Sequence, residues 1–128
     1  FVDRLGLADA VEITGSLTPA ALSAYYEVAD VFVMCSEHEG FCVPLLEAWH
    51  HGVPIVAYSA AAVPETLGDA GLLLDAKDPF TVAAAVGRVL RDETLRHALV
   101  DAGTARLGQF DLATTGAALI AAVEKAGQ

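Results

Sequence analysis

The segment SEHEGFCVPLLEAWHHG, Ser36 to Gly52, lies between two apolar runs, VFVMC at 31–35 and PIVAY at 54–58. Each run is short and apolar enough to read as a buried strand. Within the segment, residues 44–51 read as a helix. Pro44 suits the first helical position, where its missing N–H would have no partner anyway, and Gly52 supplies the left-handed residue that closes a helix. Strand, helix and strand in such close succession imply a right-handed crossover and a parallel sheet.

Two carboxylates bracket the turn inside this segment: Glu39 in the loop and Glu47 in the first turn of the helix. Helical side chains lean toward the helix N-terminus, so Glu47 is expected to point back toward whatever occupies the loop. The expected cap is Val43, whose side chain accepts no hydrogen bond. The first helical N–H groups are then unpartnered, and the aligned peptide dipoles leave positive charge there. A phosphate fits such a place. On these residues alone, water at an exposed helix end is the simpler account, and a solvated carboxylate is the simpler reading of either acid.

Outward from the segment, VEITG at 11–15 reads as a further strand, and 16–19 as a turn with Thr18 capping a helix that Pro19 begins. That helix covers 20–29, with Leu22, Tyr25, Tyr26 and Ala29 at helical spacing. Residues 72–74 make a short fourth strand. Beyond Asp78-Pro79 the chain turns helical. Phe80, Val82, Ala83, Val86, Val89 and Leu90 are the expected buried stripe, followed by a helix from Asp92-Glu93 that weakens near Gly103 and an alanine-rich helix over 112–125. The whole, 1–128, is read as one α/β domain with a parallel sheet of about four strands and flanking helices. Ligands of such sheets sit beyond the carboxyl ends of the strands. The loops at 36–43 and 59–65 both leave from those ends, so they should face one cleft.

Composition limits the partners. The net charge of −10 argues against nucleic acid, and no Lys or Arg occurs between Arg4 and Lys77, so the candidate turn lies in a cation-free stretch. Hydrophobic residues make up 55% of the chain, much of it alanine, yet no apolar run approaches the roughly 20 residues of a membrane span. The opening FVDRLGL reads as the end of a helix, with no signal peptide. Cys35 and Cys42 fall in or beside a buried strand as small hydrophobes, the pattern of a reduced, cytoplasmic protein. His38, His50, His51 and His97 show no zinc-ligand spacing, and His50-His51 suit the negative end of a helix. Trp49 reads as core, and Glu65, after Pro64, as a first-turn acid. A hydrolase pair of carboxylates needs no helix N-terminus between its members, which tells against that chemistry here.

In this order and at these spacings the motifs resemble the family 4 retaining glycosyltransferases of the GT-B fold. The likeness rests on E-x7-E at Glu39 and Glu47, with GF after the first acid and PLL before the second, then GVPIVA at 52–57, AVPET at 62–66 and GLL at 71–73. It is dense from Val11 to Leu74 and thinner after. It implies a two-lobed enzyme, of which this chain resembles the later part of the Rossmann-like C-terminal donor lobe. On that reading the chain is a partial domain, lacking the opening strand–helix units and the Arg and Lys that clamp donor phosphates.

The resemblance also implies roles. Glu39, the catalytic candidate, approaches the donor sugar's hydroxyls, and Glu47 accepts from the ribose hydroxyls. Gly40, Phe41, Cys42 and Val43 form the donor-binding turn, Leu45 and Leu46 offer N–H groups to phosphate, and Ser16 and Leu17 fall where the nucleobase is cradled. Family members most often carry glycine at the position of Cys42. The implied function is transfer of a sugar from a nucleoside-diphosphate sugar to an acceptor hydroxyl in polysaccharide, glycolipid or glycoconjugate synthesis. It needs no cofactor and no obligatory metal, and the acceptor, a glycan or lipid-linked sugar, is held by another lobe. The expected place is the cytoplasm, or the inner face of the membrane as a peripheral protein. The isolated chain is expected to be inactive, and an open sheet edge would favour self-association. Two other readings stand beside this one: a non-catalytic interaction lobe with a vestigial donor site, and another GT-B enzyme such as a sugar-nucleotide epimerase.

Overall fold

An unbroken apolar strand buried on both faces marks the centre of a parallel sheet, and IVAY at 55–58 takes that place. The computed structural model describes residues 1–127. Its sheet has the order β1-β2-β3, with β1 Phe32–Met34, β2 Ile55–Tyr58 and β3 Leu72–Leu74, all parallel. Phe32 pairs with Ile55, and Val56 with Leu72. Alternate residues of β2 face opposite layers. Ile55 and Ala57 pack with Leu45, Trp49 and Leu67, whereas Val56 packs with Val89 and Leu99.

Among the described residues there are six α-helices: α1 Pro19–Val28, α2 Val43–His50, α3 Val63–Leu67, α4 Pro79–Arg91, α5 Glu93–Leu107 and α6 Leu112–Ala126. Four begin on a side-chain cap. Thr18 accepts from the Ala21 N–H at 3.3 Å, Asp78 from Phe80 and Thr81, Asp92 from Leu95 at 2.9 Å and Asp111 from Thr114 at 2.6 Å. Each such cap supplies about 1 kcal/mol. Among the described residues no helix is long and apolar enough to cross a membrane.

The α/β class, the parallel sheet and the helix order follow the sequence reading. The strand count does not: among the described residues there are three strands, and residues 11–15 are not one of them. An extended segment becomes a strand only by pairing its N–H and C=O groups with a neighbour. The sheet's edge strands are β1 and β3, and residues 11–15 pair with neither, leaving Ile13 83% exposed. Composition alone made that segment look like sheet.

Smaller corrections have equally local causes. The α1 face expected from helical spacing is narrow: Tyr26 is buried, while Leu22, Tyr25 and Ala29 are exposed. Along α4 the less exposed stripe is Val82, Ala85, Val86 and Val89, at the i, i+3, i+4, i+7 spacing of one helix face, and Ala85, Val86 and Val89 belong to the cluster around Val56 and Leu72. Phe80 lies two residues off that line and is 88% exposed, and Ala83 and Leu90 also face outward. Gly103 does not weaken α5. It is buried where α5 crosses α2, and a Cβ there would stand 2.2 Å from Trp49 Cδ1. Glycine is what lets the indole in. Cys35 lies just past β1 and is exposed rather than buried.

Candidate functional site

β1 ends at Met34, and the chain leaves its carboxyl end through residues 35–42 before α2 begins. The helix starts one residue earlier than expected, so Val43 is its first residue and Cys42, not Val43, is the cap. No side chain caps α2. Cys42 adopts φ +68 and ψ +60, the left-handed region that favours glycine and costs other residues about 1–2 kcal/mol. Glycine would take up this geometry without that cost. Here the cost is offset in part by burial of the thiol, which pushes its pKa up, with the nearby Glu39 carboxylate acting in the same direction. A bulky thiol reagent should therefore modify Cys35 rapidly and Cys42 only as the chain unfolds. Equal labelling rates for the two cysteines would contradict this placement.

The start of α2 is crowded on one side and open on the other. Leu45 is fully buried, and its N–H donates to the Cys42 carbonyl at 3.1 Å, so a ligand at this end would share that donor. Val43 is exposed and Leu46 half-buried against the core. Glu39 is half-buried in the loop, and its carbonyl accepts from the Ala62 N–H at 3.4 Å. The loop after β2 thus lies beside the loop after β1, as expected of two carboxyl ends facing one cleft.

Glu47 sits at the fifth position of α2, one residue further along than expected, because the helix begins at Val43. Its Oε2 accepts from the Tyr26 hydroxyl at 3.2 Å, and its other oxygen has no partner among the described residues. Burial and the Glu47 charge push the Tyr26 phenol up to about 12, so it stays a donor throughout the neutral range. The Tyr26 ring stacks on His51 at 5.5 Å, and His51 Nε2 lies 3.3 Å from Ser23 Oγ. These groups line a cavity of about 330 Å³ between α1 and α2, with Pro19, Leu22 and Leu46 as its apolar walls. Ser16 is exposed and Leu17 half-buried in the turn leading to Pro19, and neither lines this cavity.

Gly40 and Phe41 line a different cavity of about 290 Å³, walled by Ala62, Glu65, Thr66, Arg106 and Phe110. Gly40 and Phe41 of the motif therefore face one hollow and Glu47 another. Lys77, which ends the cation-free stretch, returns to the β1 loop and pairs with Glu37 at 2.6 Å, and that hydrogen bond holds the Glu37 carboxyl below its usual range. Among the described residues no three His, Cys, Asp or Glu side chains are grouped to hold a metal ion. Sequence reasoning did not single out Tyr26 or Thr66 for the site. Tyr26 was legible only as one apolar position among four, and Thr66 only as the last residue of the AVPET match, with no role attached to it.

Comparison with known proteins bears on this geometry. A family model described as glycosyl transferases group 1 matches residues 2–92. The O-antigen chain mannosyltransferase B of Escherichia coli is 35% identical over 100 residues, covering 78% of this chain and 26% of that protein. A D-inositol 3-phosphate glycosyltransferase of Corynebacterium urealyticum is 34% identical over 124 residues, covering 94% of this chain and 29% of that one. The structure of sucrose-phosphate synthase from Thermosynechococcus elongatus superposes with a TM-score of 0.78 at 25% identity, over 99% of this chain and 33% of that chain. The fold is thus that of one part of a GT-B glycosyltransferase. The chain spans about a quarter to a third of the length of these relatives. Because the matching model runs through all three strands and the turn between β1 and α2, the chain belongs to the glycosyl transferases group 1 family.

Proposed function

We propose that this chain is the donor-binding lobe of a retaining glycosyltransferase that moves a sugar from a nucleoside-diphosphate sugar to an acceptor hydroxyl. The observation that carries the reading is the left-handed turn at Cys42, which delivers the chain into a helix start without a side-chain cap, with Glu39 before it and Glu47 after it. In this reading the N–H groups of the turn and helix start meet the sugar and the diphosphate. Helix donors fixed in place stabilise the charge that gathers on the leaving diphosphate, at no cost of reorganisation. Glu39 contacts the sugar hydroxyls and is the catalytic residue of this lobe. Glu47 offers the oxygen left free by Tyr26 to the ribose hydroxyls, and the nucleobase lies toward Ser16 and Leu17.

The acceptor, a glycan or lipid-linked sugar, is held by polypeptide other than this chain. No cofactor and no obligatory metal enters the proposal. The test is to assay the full-length protein, and residues 1–128 alone, for release of nucleoside diphosphate from UDP-, GDP- and ADP-sugars. Turnover by the full-length protein with one donor class and none by the short chain is expected. Turnover by residues 1–128 alone would overturn the division of labour, and failure of the full-length protein to bind any of the donors in calorimetry would overturn the donor reading itself.

A further inference from the structure

We infer that Thr66, backed by Arg106, is a positioning residue for the turn at residues 40–42, acting through the Phe41 carbonyl; its bearing on catalysis rests on the donor reading above. Among the described residues, and apart from the aromatic Tyr26 and Trp49 and the Cys42 thiol, Thr66 is the one buried side chain with a polar group, 3% exposed. A helical threonine ordinarily returns its hydroxyl to a carbonyl of its own helix. That of Thr66 instead donates across 25 residues to the Phe41 carbonyl, at 2.7 Å.

The consequence lies in the peptide plane. The Phe41 C=O and the Cys42 N–H belong to the same trans peptide and point in opposite directions. Fixing the carbonyl on Thr66 therefore aims the Cys42 N–H away from α3. In the proposed function that N–H is one of the donors that reach the sugar. The left-handed Cys42 next in the chain makes this plane costly to hold, so the hydroxyl works against a real tendency to rotate.

Thr66 is itself held from behind. The Arg106 guanidinium donates to the carbonyls of Thr66 at 3.1 Å and Glu65 at 2.6 Å, the last turn of α3, and to Gln109 Oε1 at 2.6 Å. It lies 5.1 Å from the centre of the Phe110 ring, and Phe110 meets the Phe41 ring edge-on at 5.4 Å. Phe41, Thr66, Arg106 and Phe110 thus close a circuit. Its members come from the motif loop, α3, α5 and the short turn Gly108–Phe110 that follows. A circuit of this kind resists rotation of the one peptide it encloses.

The test uses the full-length enzyme with Thr66→Val, which keeps the volume and removes the hydroxyl, and Thr66→Ser, which keeps the hydroxyl. Amide exchange of the segment 40–45, followed by mass spectrometry without ligand, should rise about tenfold in Thr66→Val and return toward wild type in Thr66→Ser. Turnover should fall between about tenfold and a hundredfold in Thr66→Val, the range for misplaced catalytic groups, with little change in affinity for free nucleoside diphosphate. Unchanged exchange at 40–45, or a loss of thermal stability with kinetics intact and no rescue by serine, would overturn the positioning role. Faster exchange with unchanged turnover would leave the positioning role standing and sink the donor reading of the turn.

Discussion

Replacing Trp49 with alanine should cost the protein about 3–5 kcal/mol of stability, a large share of the roughly 5–15 kcal/mol that holds a domain together. The indole is 3% exposed at the crossing of α2 and α5, and its Nε1 donates to the buried Ala70 carbonyl at 3.1 Å. Truncation opens a cavity and strands that carbonyl. A second substitution makes the expectation specific to this packing. Gly103→Ala in the wild type places a methyl 2.2 Å from Trp49 Cδ1, an overlap costing roughly 1–3 kcal/mol. With Trp49 already alanine, the same methyl enters empty space, and alanine gains about 1 kcal/mol over glycine in a helix interior. The Gly103→Ala effect should therefore reverse sign between the two backgrounds in denaturant unfolding followed by circular dichroism. Equal effects in both would mean that α5 does not rest on the indole through Gly103.

That pair also shows where the sequence was legible and where it was not. The central layer could be read because its signals are local: an apolar run for β2, Thr18-Pro19 for the start of α1, Gly52 at φ +69 for the end of α2. Gly103 was read as a weakness because intrinsic propensity is a one-helix argument, whereas the reason for this glycine is a tryptophan 54 positions earlier. Residues 11–15 failed for the opposite reason. Their β-branched composition is a local sign, but a strand is a pair, and the partner is not something a single segment can declare. The α4 stripe went wrong at Phe80 because hydrophobicity was counted without angle.

The candidate site divides along the same line. Glu39, Gly40 and Glu47 are visible as a motif because all three lie within nine consecutive residues. The groups that hold the motif in shape are scattered: Tyr26 on α1, Thr66 on α3 and Arg106 on α5 each reach it by one or two hydrogen bonds. The family match ends at residue 92, so Arg106 also lies beyond the matched stretch. A motif search finds the atoms proposed to touch the donor; only the fold shows what keeps them aimed.

In the full-length enzyme, Glu47→Ala and Glu39→Ala should fail in different ways. Glu47 keeps one oxygen on Tyr26 and has the other free, on the wall of a cavity between α1 and α2. If that oxygen accepts from ribose, the bond exists in both the bound ground state and the transition state. Its loss then raises the donor KM and the Kd of free nucleoside diphosphate, by roughly 10- to 100-fold for a charged hydrogen bond of about 1.5–3 kcal/mol, while kcat stays near wild type. Glu39 sits ahead of the turn, on the sugar side of the proposed donor. Nucleoside diphosphate without a sugar should bind the Glu39→Ala enzyme as it binds wild type. Charge developing on the sugar in the transition state is another matter, and kcat should fall on the order of 10²–10³, as for other preorganised groups facing such charge. The two phenotypes exchange if the donor lies the other way round, with its sugar in the cavity beside Tyr26. Wild-type kinetics in both variants would remove the pair from the site altogether.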